Sequence, residues 1–472
     1  MALTPIPFCG PAYKNDSLAI SAQTCINLYP EINGKDSKVP IALKPTPGLK
    51  LWATLTGGGS VRKIKKTSSN RFFGVCGNTL TEVTISGTLI VRGTINSNSG
   101  RIDMTDNGLE LIIVDAAMNE GWIYTLSTNT LTQITSSGYP GGSHVSFINQ
   151  RFLVNKPNTQ QFYWSDLVDG TTWDGSFASA EGSPDRINSM IALGGEEWVF
   201  GDESYDVFDN IGSSFERIDG THYDIGCIAP NSLSKTDKNV FWLGGDSLGH
   251  GKVFSNAGYR PQAISDPALE QTIQRYSKID DAIGYCYQQL GHEFYVLSFP
   301  SAGTTWAYDL STNMWHERNY TDSDNNKYMH RGINQEFFNG KVYVGDWSNG
   351  NVYELDPDTT TDNGEEIHRE RACPHIWNNM DDVYYSRFQL DIQVGVGLNG
   401  TGQDSNPQVM LDYSNDGGRT WLNEQWRAAG KIGEYTQRLI WNRMGSSRDR
   451  VFRIRMTDPV KWVILGAYVD LK

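Results

Sequence analysis

The sequence predicts an all-β chain: a β-propeller of about seven four-stranded blades, six being the alternative count, followed by a C-terminal antiparallel β-sandwich that forms a platform. Three observations carry this. Aromatic residues reach 11%, with 14 Trp and 22 Tyr, a profile rich in strand formers. Short aromatic and β-branched runs recur through the middle of the chain. They begin at Phe72, Glu110, Gln150, Glu197, Asn239, Glu293 and Lys341, at spacings of 38, 40, 47, 42, 54 and 48 residues. After Ile367 this pattern gives way to longer alternating strands. At 472 residues the chain is too long for one core, so two or three domains are expected.

In chain order, residues 1–48 are expected to drape on the platform, 49–366 to form the propeller and 367–472 the sandwich. Each recurring run is followed by a Gly, Asn, Asp or Ser turn and a second strand, as in FFGV then LTEVTI, or FYVL then TTWAYDL. Most runs also have a third and a fourth strand around them, and four short strands per 45 or so residues is the arithmetic of a blade. A sandwich of regular hairpins is the competing reading, and the even pitch favours the propeller. The seventh unit lacks a fourth strand, because DPDTTTDNGEE follows Leu355. Leu49–Leu55 is a spare strand upstream of the first unit, and pairing it with the seventh blade removes an open edge. One helix is expected, capped by Asp266-Pro267, with Leu269, Ile273 and Tyr276 on one face. In the sandwich, Arg438, Arg443, Arg448, Arg450, Arg453 and Arg455 mark the surface expected to meet an acidic partner, against the plainer reading of a solvated sheet face.

Several strings resemble chemical motifs. Gly245-Asp246-Ser247-Leu248-Gly249 fits GxSxG, but it lies between two strands with no following helix, and the one Asp-x-x-His, Asp219–His222, precedes the serine. It reads as a hairpin turn. Ser414, Asp416, Gly418 and Trp421 belong to an Asp-box, S/T-x-D-x-G-x-T-W, a turn that locks a hairpin and carries no catalysis. A looser relative spans Ser165–Gly175. The acidic clusters at Asp322–Asn326 and Asp356–Gly364 lack the Gly and Glu positions of a calcium loop. The eight histidines have no zinc-ligand spacing, and no phosphate loop or dinucleotide fingerprint occurs. No catalytic residue, cofactor or metal is therefore expected, and the chain reads as a non-enzyme.

Net charge is −14, from 40 basic and 54 acidic residues. That argues against electrostatic capture of nucleic acid or of an anionic membrane. Six widely spaced cysteines without a CxxC pair read as free, buried thiols. The start, MALTPIPFCGPAYKND, has neither the basic nor the apolar region of a signal peptide. No stretch approaches the length of an apolar membrane span.

Particular strings go further. Ile26–Glu31 (INLYPE) with Thr46–Leu49 (TPGL), Tyr163–Leu167 (YWSDL) with Thr171–Asp174 (TTWD), and Ala180–Asp185 (AEGSPD) resemble the packaged-DNA stabilisation proteins of short-tailed bacteriophages, also called tail hub or nozzle proteins. So do Ile279–Ala282 (IDDA), Thr305-Trp306, Trp315–Arg318 (WHER), Arg438–Trp441 (RLIW), Arg453–Arg455 and Ala467–Leu471. The resemblance implies a virion tail protein made in the host cytoplasm. It would form a hexameric ring below the portal and its adaptor, continue the DNA channel, retain the packaged genome and dock a tail needle, fibres or spikes. DNA would pass through without specific binding. The alternative function is a propeller-type glycan-active enzyme, sialidase- or depolymerase-like, or an adhesin. The shared motifs are structural, so no catalytic role is carried over.

Overall fold

The computed structural model describes residues 3–245, 251–379 and 381–471. Seven antiparallel units of four strands follow one another. Six are made of chain-consecutive strands, from Val61–Lys66 with Phe72–Cys76 in the first to Thr304–Asp309 with Met314–Thr321 in the sixth. The fifth carries an extra short strand, Ser234–Lys235. The runs that repeat in the sequence are the second strand of each unit, and these are the most buried: Phe72–Cys76 is covered along its whole length. The first strands pack around a common axis, with Val61–Lys66 beside both Ile102–Asp106 and Gly332–Phe338.

The seventh unit combines Gly332–Phe338, Lys341–Asp346 and Asn351–Asp356 with Gly48–Thr54 from the other end of the chain. Leu355 lies opposite Leu49 and Asn351 opposite Thr54, with a bulge at Val352/Tyr353. Leu49 and Ala53 are covered while Leu51 between them is 47% exposed, so the strand departs from simple alternation next to its bulge, where the pairing skips Trp52. Turns are supplied by asparagines in the left-handed region. Asn129 (φ 58°) and Asn313 (φ 56°) end the same four-letter turn, LSTN, in the second and sixth blades. Each accepts a tyrosine hydroxyl, Tyr124 at 2.8 Å and Tyr308 at 2.9 Å.

The helix spans Pro267–Gln274. Asp266 caps it by accepting from the Leu269 N–H at 2.9 Å, and Leu269 and Ile273 pack with Val253 of the fifth blade and Leu297 and Phe299 of the sixth.

Beyond the propeller, the sandwich has two sheets. One contains Arg369–Ala372, Asp449–Met456, Gln408–Ser414 and Leu422–Ala428; the other contains Val383–Ile392, Leu439–Asn442 and Ile464–Leu471. The N-terminal segment supplies strands to both. Thr4–Ile6 pairs with Ile464–Leu471, and the hairpin of Leu28–Ile32 and Ile41–Pro45 joins the same sheet. Ala22–Ile26 pairs antiparallel with Arg369–Ala372 and, through Ile26 opposite Glu317, parallel with the sixth blade's outer strand. Sixth blade and platform thus share one continuous sheet. A single apolar cluster runs from Phe241, Leu297 and Trp315 to Phe388, Phe452 and Trp462. All six cysteines are free; Cys25, Cys76, Cys227, Cys286 and Cys373 are buried and Cys9 is half-buried. Burial pushes the Cys25 thiol up to about 12, so it is an inert apolar group.

Candidate functional site

The structure separates the six sandwich arginines into three groups. Arg450 is 1% exposed and belongs to the core. Its guanidinium donates to Asn415 Oδ1 at 2.8 Å, Met444 O at 2.6 Å and Ser446 O at 3.2 Å, and lies 4.1 Å from the Tyr413 ring centroid and 4.3 Å from that of Tyr385. Its placement on the surface is therefore corrected: carbonyls and aromatic faces, not an acidic partner, satisfy this cation.

Arg453 and Arg455 are half-buried and already neutralised. The antiparallel register sets Asp412 opposite Arg453, and alternation puts both arginines on the same sheet face as Asp412 and Glu370. Arg453 makes a fork to Asp412, at 3.0 and 2.6 Å, and reaches Glu370 at 3.7 Å. Arg455 donates to Asp412 at 3.0 Å and also to Glu424. Two cations thus face three carboxylates, which makes a locked network rather than a free basic strip. Only Arg438, Arg443 and Arg448 stand exposed. Arg438 reaches Gln389 at 3.3 Å and Arg448 lies 3.8 Å from Asp382, both weak surface contacts.

Sequence reading missed Arg371. It is fully buried and donates to Phe8 O at 2.7 Å, Pro11 O at 2.7 Å, Thr24 O at 3.1 Å and Gln23 Oε1 at 3.0 Å, pinning the N-terminal segment to the sandwich. No sequence signal marks it: its strand, Arg369–Ala372, reads RERA, with Arg369 and Arg371 both covered and Glu370 half-buried.

The Asp-box forms as a turn. Ser414 Oγ donates to Asp416 at 2.6 Å; Asp416 accepts from the Arg419 and Thr420 N–H groups at 3.0 and 2.9 Å and from the Thr420 hydroxyl at 2.6 Å. These donors hold its carboxyl well below the usual carboxylate range. Gly418 (φ 93°) has no room for a Cβ, which would meet Ala22 at 2.7 Å. Trp421 lies against Leu18, Ala22, Ala372 and Val451, with the Arg453 guanidinium 3.9 Å from its ring centroid.

In the GxSxG segment, Gly245 ends the strand Val240–Gly245, and Asp246, Ser247, Leu248 and Gly249 lie outside the described residues. His222 is not paired with Asp219. Its Nδ1 is 3.0 Å from Asp206, and its Nε2 lies 3.2 Å from Ser183 Oγ and 3.4 Å from Asp224. A Cβ at Gly182 would lie 2.3 Å from this ring, so the 180–185 loop sits directly on it. We read the arrangement as a polar latch onto the fourth blade. The acidic clusters are loop turns: Asp322 accepts from the Asp324 and Asn326 N–H groups, and Asp356 from Asp358 and Thr359. Among the described residues no group of three His, Cys, Asp or Glu side chains is arranged to hold a metal ion. Nor, among these residues, is any helix long and apolar enough to cross a membrane.

On the propeller axis lies a cavity of about 380 Å3, lined by the first strands of the blades. Lys63, Lys65, Arg101 and Lys235 face it, with Asp103 and Glu336. Lys63 pairs with Asp103 at 2.9 Å and Lys65 with Glu336 at 3.3 Å.

Two family models match the chain: that of bacteriophage P22 Gp10, beta-propeller, over residues 4–360, and that of bacteriophage P22 Gp10, beta-sandwich, over residues 368–472. No curated protein matches by sequence. Among solved structures, the WD40 beta propeller domain of Doa1 is 12% identical, with 65% of this chain and 96% of that chain covered and a TM-score of 0.40. Virginiamycin B lyase from Staphylococcus aureus is 10% identical over 63% of this chain and 94% of that chain, with a TM-score of 0.43. The computationally designed Ika8 protein is 14% identical over 71% and 99%, with a TM-score of 0.37.

Proposed function

The chain belongs to the family of bacteriophage P22 Gp10, matching its propeller and its sandwich in turn, and from that premise we propose that it is a ring-forming structural protein of a short phage tail. The ring, a hexamer, sits below the portal and its adaptor, continues the DNA channel, holds the packaged genome in place and offers docking surfaces to needle, fibre or spike proteins. The observation that carries this reading is the family match over both halves of the chain. The shared sheet and core at the junction support it, because a channel wall under internal pressure needs a propeller that does not swing against its platform.

Charge fits the same role. Six copies of a chain at −14 carry about −84, so the assembly repels the DNA polyanion as a whole. A wall dense in Lys and Arg would release counterions from DNA and brake its exit. Retention then comes from a constriction or a plug. Of the six sandwich arginines, Arg438, Arg443 and Arg448 are the exposed ones, held by weak surface contacts at most, and they are the ones we assign to contact with an acidic neighbour.

Imaging of purified virions tests this. A six-fold density of this fold on the tail axis below the portal is the expected result. A protein absent from virions, or found away from the tail axis, overturns it. Reversal of Arg438, Arg443 and Arg448 to Glu should leave a folded chain that fails to join the ring; normal assembly would remove these three from the interface.

A further inference from the structure

We propose that the cavity on the propeller axis binds a small oxyanion of the phosphate class. Its volume, about 380 Å3, lies within the range of small-molecule pockets and is far too small for duplex DNA. Two of the four cations that line it already have partners. Lys63 and Lys65 are committed to Asp103 and Glu336. Among the described residues, Arg101 and Lys235 have no carboxylate within ion-pair distance. Arg101 Nη1 is buried with no acceptor at all, and Lys235 Nζ, on an exposed residue, is held only by the Ala192 carbonyl.

The other titratable groups do not fill the gap. Glu197 is buried behind Ser146, whose hydroxyl donates to it at 2.6 Å. Burial pushes its carboxyl up to about 8, so it carries a proton near neutral pH and leaves Lys235 uncompensated. His144 is driven toward its neutral form by burial. A chain with a large negative net charge therefore lines one cavity with two cations in excess of its carboxylates, the half-buried Arg101 and the exposed Lys235. A desolvated guanidinium without an acceptor is costly. Its fork of donors fits two oxygens of one anion, which a chloride cannot supply.

Titration calorimetry on the full chain, with inorganic phosphate and with adenosine monophosphate against chloride at matched ionic strength, tests the proposal. Saturable binding of phosphate at one site per chain is expected, and binding of the nucleotide as well would widen the class to phosphomonoesters. Arg101→Gln should weaken phosphate binding about tenfold or more, the loss of roughly one charge-assisted contact. Lys235→Gln, on an exposed side chain whose loss leaves the fold intact, should weaken it in the same direction. Glu336→Gln frees Lys65 and should tighten it. Phosphate binding no stronger than chloride, or unchanged affinity in both Arg101→Gln and Lys235→Gln, would overturn the proposal.

Discussion

Closure of the propeller by an N-terminal strand can be tested one side chain at a time. Leu49 and Leu51 lie two residues apart on Gly48–Thr54 with Lys50 between them, and the strand's bulge follows directly, the pairing skipping Trp52. Leu49 is 1% exposed and packs with Tyr353 and Leu355, whereas Leu51 is 47% exposed. Truncating a buried leucine to alanine removes its burial and leaves a cavity, about 3 kcal/mol in the middle of the usual range. The same truncation at a half-exposed site costs well under 1 kcal/mol. A chain of this size need not unfold in one step, so global melting is a poor readout. Amide hydrogen exchange of Asn351–Asp356, the paired strand, reports opening of the seam directly. Leu49→Ala should speed exchange there roughly a hundredfold, at tenfold per 1.4 kcal/mol, and Leu51→Ala should change it little. Equal effects at the two positions, or none at Leu49, would refute the register and with it the closure argument.

Other expectations follow from the same contacts. Arg453→Glu with Arg455→Glu places five carboxyl groups together around Asp412, so the double variant should lose soluble folded protein rather than merely lose assembly; a normally folded variant by circular dichroism would contradict the network. Asp416→Ala removes the acceptor of two backbone N–H groups and should lower stability by about 1–2 kcal/mol, read from denaturant midpoints at neutral pH. Because this carboxyl titrates low in the folded state, its contribution is present above the ordinary carboxylate range and fades as pH falls below it, so the variant and parent should converge in acid. Glu197 has the opposite sign: its folded form holds a proton up to about pH 8, so its ionisation opposes folding increasingly between about 4.5 and 8. Glu197→Gln should be close to neutral at pH 4 and stabilising by on the order of a few kcal/mol above pH 8; a flat difference across that range would refute the burial argument.

The repeat of aromatic and β-branched runs was enough to place the second strand of every blade, because those strands are covered on both faces and read as apolar whatever their neighbours. Turn chemistry was equally local: LSTN and the Asp-box act through residues within a few positions of each other, so their geometry was legible from the letters alone. The spare strand Leu49–Leu55 was found by subtraction, since a ring with an open edge demands a partner. The arginines were legible as residues but not as charges. Whether a strand cation is free depends on what lies opposite it, and Asp412 and Glu370 reach Arg453 from segments 41 and 83 residues away in sequence. Arg450 and Arg371 depend on carbonyls that no periodicity announces. The single sheet through Ala22–Ile26 and the unpartnered Arg101 on the axis are likewise products of tertiary structure. Both arise where strands distant in sequence converge, and a sequence pattern records which face a side chain takes, not which charge it meets there.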